Sequence, residues 1–201
     1  MNAHNNSLQS ALGQTDVYLI DQILKGRFLP TQKILDAGCG SGRNMYWFLQ
    51  NNFNVIGIDS SPSAIELLKK QYPSFTNRFQ LATVELMPFP DQEFDHVISS
   101  AVLHFADSTF HFHQMFSEMV RVLKKRGMLF IRMTCDIGLE EKVIHVKDGV
   151  YNIPDGSKRF LLTRSLLKDC LEQYNLVLSE PFKTVLVDDV RSMSTVVLQR
   201  C

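Results

Sequence analysis

The stretch Ile34-Leu35-Asp36-Ala37-Gly38-Cys39-Gly40-Ser41-Gly42-Arg43-Asn44 decides the fold. An apolar run beginning at Lys33 enters three alternating glycines. A helix is predicted to leave them over residues 44–50, with Met45, Phe48 and Leu49 at core spacing. Glycines at these points let the backbone turn sharply and approach a ligand without side-chain clash. The start of the helix leaves amides free to face polar or anionic ligand groups. A second apolar run over residues 54–59 ends in Asp59. This lies about 20 residues beyond the glycines, where a carboxylate can accept both hydroxyl hydrogens of a ribose. Strand, glycines, helix, strand and acid in that order point to a nucleoside-bearing ligand.

Working outward, short apolar runs alternate with amphipathic helical stretches, the pattern of a parallel sheet covered by helices. Ser61 can cap a helix with Pro62 at its first position and Ile65, Leu68 and Tyr72 as its apolar stripe. Further strands are predicted over 79–84, 96–102 and 128–133. A long helix with Asp107 as cap carries Phe112, Met115, Phe116, Met119 and Leu123 on one face. Arg121, Lys124, Lys125 and Arg126 are expected in its last turns, where cations suit the helix dipole, with Gly127 in the left-handed position after them. Residues 135–160 show no clean period and read as an irregular loop or small insertion. Thr163 caps a last helix. Strands over 176–182 and 192–200, joined by a link holding Asp188 and Asp189, form an antiparallel pair. Before the first strand, Val17, Leu19, Ile20, Ile23 and Leu24 predict an edge-packed helix.

With 201 residues, one domain is expected. It divides into an N-terminal polar segment and helix (1–30), a ligand-binding core (33–134), a substrate-side irregular loop (135–160) and a C-terminal helix and strand pair (161–201). Lys plus Arg and Asp plus Glu both number 21, so no long-range pull toward nucleic acid or anionic lipid is expected. Cys39, Cys135, Cys170 and Cys201 are too scattered for a disulfide framework or a zinc site. Residues 1–14 lack the basic start and apolar block of a signal peptide, and no apolar run is long enough to cross a bilayer. A cytoplasmic protein without a membrane partner is therefore expected.

A dinucleotide site usually reads G-x-G-x-x-G. Here Asp36 stands two residues before the first glycine, where it would repel a pyrophosphate but attract an ammonium group. The motif Leu35-Asp36-Ala37-Gly38-Cys39-Gly40-Ser41-Gly42 resembles that of the class I S-adenosylmethionine-dependent methyltransferases. So do Gly57-Ile58-Asp59-Ser60-Ser61, Met87-Pro88-Phe89-Pro90-Asp91, Phe94-Asp95-His96-Val97-Ile98, Val102-Leu103-His104 and the segment from Leu123 to Leu129. The resemblance implies a Rossmann-like, doubly wound α/β fold. Its seven-stranded, mostly parallel sheet has an antiparallel last strand and helices on both faces, with S-adenosylmethionine across the carboxyl ends of the first strands. By position, Asp36 would lie near the amino end of the cofactor's methionine, and Gly38 and Gly40 would pass under its backbone. Asp59 would bind the ribose, Ser60 would border the adenine and Ser100 would flank the methionine moiety. Relatives commonly place an acid where Thr83 stands; here Val84 backbone or the Glu85 side chain would take that role.

The expected activity is methyl transfer to a small-molecule acceptor. The alternatives are transfer to protein or RNA, a non-catalytic methyltransferase-like binding module, and a nicotinamide-dependent oxidoreductase, which Asp36 and the glycine spacing oppose. His104, after the fourth strand at the ligand face, is the candidate catalytic base. His111 and His113 lie two apart on a helix and so point to different faces, and no metal site is expected. His145, Asp136, Lys147, Asp148, Tyr151 and Arg159 lie in the irregular segment expected to cap the acceptor pocket and read mostly as solvated; Phe105, Phe110 and Phe112 read as core, pocket wall or both, core being preferred.

Overall fold

Strand β1 (Lys33–Ala37) sends Leu35 and Ala37 into one apolar core and Ile34 into another. Alternate side chains of a strand point to opposite faces, so both faces of this sheet are buried and need covering helices. In this computed structural model, which describes residues 5–201, with side chains from residue 8, the strands run in the order β10-β11-β5-β4-β1-β2-β3. The members are β2 (Asn54–Asp59), β3 (Phe79–Leu81), β4 (Phe94–Ser100), β5 (Leu123–Thr134), β9 (Leu176–Leu178), β10 (Lys183–Val187) and β11 (Arg191–Arg200). β1 to β5 are mutually parallel, and β11 is antiparallel to β5. β1 pairs with β2 on one side and β4 on the other, so the strand order reverses there and opens a crevice at the carboxyl ends.

Helices α2 (Val17–Leu24), α3 (Tyr46–Gln50) and α4 (Pro62–Gln71) cover one face; α5 (Thr109–Val122) and α6 (Arg164–Gln173) cover the other. The predicted stripe residues Met45, Phe48, Leu49, Ile65 and Leu68 are all buried. Ser61 caps α4 by accepting from Ala64 N at 3.3 Å, with Pro62 at the first position. Of the polar segment over 1–14, residues 1–4 lie outside the described residues, and an unforeseen helix, α1, spans Asn5–Leu12.

Three local expectations give way to other solutions. Ser108, not Asp107, caps α5, accepting from His111 N at 3.2 Å, while Asp107 accepts from the Ser108 hydroxyl. α5 stops at Val122, so Lys124, Lys125 and Arg126 belong to β5, where Lys124 pairs with Asp95 at 2.9 Å. The free carbonyls at the helix end are met instead by Arg200, which donates to Val120 O at 2.8 Å and Leu123 O at 2.5 Å. Arg126, not Gly127, takes the left-handed backbone (φ 62°). Gly127 is there for room, because a Cβ would meet Asp95 O at 2.9 Å.

Residues 144–160 are not irregular. They form an antiparallel meander of β6 (Ile144–Lys147), β7 (Val150–Asn152) and β8 (Lys158–Phe160). Near the chain end, β9 and β10 both pair with β11, so the strand expected over 176–182 stops at Leu178 and the same edge resumes as β10 after a break at 179–182. Asp188 and Asp189, both at positive φ, make the tight turn from β10 to β11. Among the described residues, no helix is long and apolar enough to cross a membrane.

The interruption places Glu180 in an ion-pair hub with Lys25, Arg27 and Lys183, tying α2 to the sheet edge. Burial alone would raise the Glu180 pKa, but hydrogen bonds from Lys25, Lys183 and Gln22 outweigh it and bring it down to about 2. A depressed carboxyl stabilises the fold above its unfolded value of 4.5 and loses that contribution as pH falls toward the folded value. Glu180→Gln is therefore expected to cost about 1–2 kcal/mol at neutral pH, discounted for the exposed lysines. The gap to the parent should close below the unfolded pKa; denaturant melts across pH check this, and a pH-independent gap would contradict it.

Candidate functional site

At the end of β1 the chain folds back on β2, with Gly38 N and Cys39 N both donating to Ile58 O at 2.9 and 2.8 Å. Gly38 (φ 81°) and Gly40 (φ 52°) both need left-handed backbone but differ in surroundings. A Cβ on Gly38 would meet Val102 Cγ2 at 2.5 Å, whereas nothing lies within 4 Å of one on Gly40. Gly38 is thus fixed by packing, and Gly40 leaves open space over bare backbone. Asp59, at the tip of β2, locks this turn. Its Oδ2 accepts from Gly40 N and its Oδ1 from Ser61 N, each at 2.8 Å. Each carboxylate oxygen keeps a further acceptor site.

Above the turn lies a cavity of about 520 Å³. Gly38, Gly40, Asp59, Ser60, Val84, Glu85 and Ser100 all line it. Asp36 does not; it is 2% exposed, and its Oδ2 has no hydrogen-bond partner. Burial raises its pKa to about 7, Arg43 opposes this and Asp59 adds to it. Arg43, Asn44, Phe105, Met115 and His111 also line the cavity. Of the three phenylalanines, Phe112 is core, Phe105 is exposed as pocket wall and Phe110 is exposed. His111 Nε2 meets Glu85 Oε1 at 2.6 Å, while His113 turns away to the Tyr174 hydroxyl at 3.0 Å. Burial acts to raise the Glu85 pKa, but the His111 contact and further hydrogen bonds lower it overall. His111 sits in the first turn of the helix that follows β4, on the ligand side of the sheet, and that position was the available signal. Among the described residues, no group of three or more His, Cys, Asp or Glu could hold a metal ion.

A second cavity, of about 370 Å³, shares Arg43 and Ala101 with the first. His104 lines this one. It is 6% exposed, and burial, with Arg159 and Arg191 adding, lowers its pKa to about 4, so it is neutral at pH 7. Arg159, expected to be a solvated loop residue, also lines it and lies over the Phe105 ring at 5.0 Å.

Residues 35–131 match the family model described as a methyltransferase domain. Over that segment the chain is similar to methyltransferase domains. An uncharacterized methyltransferase of Synechocystis sp. is 36% identical over 99 residues, covering 49% of this chain and 45% of the relative. The uncharacterized methyltransferase YodH of Bacillus subtilis is 34% identical over 102 residues, covering 50% and 42%. The chain spans about half the length of the curated relatives it matches. A SAM-dependent methyltransferase of Methanosarcina mazei shares the fold, with a TM-score of 0.74 at 19% identity over 89% of this chain and 96% of that one.

The residues lining the first cavity fit S-adenosylmethionine. The open space at Gly40 admits a ligand against backbone, and Asp59 keeps acceptor capacity at the cavity wall. Val84, Phe105 and Met115 give apolar wall for a purine. The volume lies within the roughly 300–1,000 Å³ of small-ligand sites.

Proposed function

We propose that the chain binds S-adenosylmethionine over its glycine turn and transfers the methyl group to a small molecule held in the adjoining cavity. The observation that carries this reading is Asp59 locked between Gly40 N and Ser61 N at the wall of an open cavity. When bound, the cofactor supplies a methyl group activated on a sulfonium. The protein's share is orientation and exclusion of water. In this reading Asp59 accepts the ribose hydroxyls, and the Gly38 and Gly40 backbone passes under the methionine. Ser60, Val84 and Glu85 border the adenine, and Ser100 flanks the methionine chain. A bound ammonium would draw the raised pKa of buried Asp36 back down, so that its carboxylate charge faces the amino group from behind the wall. A base with a pKa near 4 holds a proton weakly, so neutral His104 suits hydrogen bonding to the acceptor better than proton abstraction. The limited size of the second cavity supports a small acceptor over protein or RNA. The free thiols Cys39, Cys135, Cys170 and Cys201 suit a reducing compartment, and we place the protein in the cytoplasm.

Calorimetry with S-adenosylmethionine, S-adenosylhomocysteine and NAD tests the cofactor. The first two are expected to bind and NAD is not; binding of NAD alone would point to the oxidoreductase alternative. Labelled cofactor incubated with metabolite extracts then tests turnover, and binding without transfer to any extract would favour the non-catalytic module.

A further inference from the structure

The second cavity is walled by four guanidinium groups brought from distant parts of the chain: Arg43 after the glycine turn, Arg132 on β5, Arg159 on β8 and Arg191 at the start of β11. Two carboxylates answer them. Asp16 pairs with Arg132 and, at 3.7 Å, with Arg43; Asp155 pairs with Arg191 at 2.6 Å. Arg159 has no carboxylate partner among the described residues; its guanidinium donates to Lys158 O at 2.7 Å and lies over Phe105. A chain with no net charge thus concentrates a surplus of two positive charges around one small cavity.

Two polar atoms on the same wall are buried without a hydrogen-bond partner, Arg132 Nε and His104 Nδ1. Arginine can only donate, so its buried Nε carries an unmet donor, which is costly unless something supplies an acceptor. Guanidinium forks match the paired oxygens of a carboxylate or a phosphate. Phe105, which lines the first cavity, holds Arg159 at the junction of the two.

We infer that the second cavity is an oxyanion site and that the methyl acceptor is a small molecule bearing a carboxylate or phosphate group, gripped by Arg159 with Arg132, Arg191 and Arg43. This rests on the proposed function for its word acceptor. The anionic end sits among the arginines, and the nucleophilic end reaches the first cavity past Arg43 and Ala101.

The test uses the full chain saturated with S-adenosylhomocysteine. Inorganic phosphate and succinate are titrated separately at ionic strength matched with sodium chloride, and melting temperature and heat of binding are read. At least one probe is expected to raise the melting temperature saturably above the chloride control, and which one does so separates phosphate from carboxylate. Arg159→Gln should weaken that probe about tenfold and leave S-adenosylhomocysteine affinity within about twofold, with Arg159→Lys intermediate. If neither probe exceeds chloride, or Arg159→Gln binds the probe like the parent, the oxyanion site is wrong. If S-adenosylhomocysteine fails to bind while a probe still does, the oxyanion site stands and the methyltransferase reading fails.

Discussion

Asp59→Ala is expected to weaken S-adenosylmethionine binding by about two orders of magnitude while the chain still folds. Hydrogen bonds to a charged acceptor contribute about 1.5–3 kcal/mol each, and a ribose offers two hydroxyls. Losing both, with some compensation by water, leaves about 3 kcal/mol, hence the hundredfold. The side chain also holds Gly40 N and Ser61 N, so its removal loosens the turn on which the cofactor would rest. Gly40 lines a cavity that water can enter and Ser61 is half-buried, so the stability loss should stay near 1–2 kcal/mol. The Ser61 hydroxyl still caps α4. Calorimetric affinity and thermal melts of Asp59→Ala, beside Ser63→Ala as an exposed control outside the cavity, separate binding from folding. An Asp59→Ala chain that binds as tightly as the parent would remove the ribose assignment.

The part of the site built from contiguous sequence was legible, and the part assembled across the fold was not. Gly38, Gly40 and Asp59 announce themselves because a tight turn needs particular residues at particular steps, and a strand's length sets where its acid falls. Asp59 as the staple of the glycine turn was not visible, since nothing local says that its oxygens face Gly40 N and Ser61 N. The meander over 144–160 escaped because its strands are three or four residues long, and all four residues of β6 are exposed, so no apolar alternation marks them. The basic run 124–126 misled because cations suit a helix end, yet Leu123 is wholly buried and already paired with Phe94 as strand. Arginines at positions 43, 132, 159 and 191 share one cavity only through the sheet order, which spacing along the chain does not encode.

Asp16 shows the same gap in energetic terms. It precedes α2, and its side chain is 1% exposed. One carboxylate accepts from Tyr18 N at 2.9 Å to cap the helix and pairs with both Arg132 and Arg43. Its own amide donates to Asn44 Oδ1 at 3.0 Å, joining the N-terminal helix to the segment after the glycine turn. Removing one partner of a buried pair costs about 3–5 kcal/mol, because the other charge stays behind unpaired. Arg132 and Arg43 retain 23% and 41% side-chain exposure, so water recovers part of that. With about 1 kcal/mol for the lost cap, Asp16→Ala should cost about 3 kcal/mol. For a chain of this size that lowers the melting temperature by about 6–12 °C. Asp16→Asn keeps a capping oxygen and should lose less. Adding Arg132→Met to Asp16→Asn should recover part of the loss, since it removes the stranded guanidinium. Thermal melts of the three variants decide it. If Asp16→Ala loses only the roughly 2–4 °C of a missing cap, Arg132 is already well served by solvent and Asp16 is a cap alone. The same variant also bears on the arginine-walled cavity, because removing Asp16 raises its positive surplus, so phosphate or succinate should bind at least as tightly wherever Arg132 keeps its place over the Tyr18 ring.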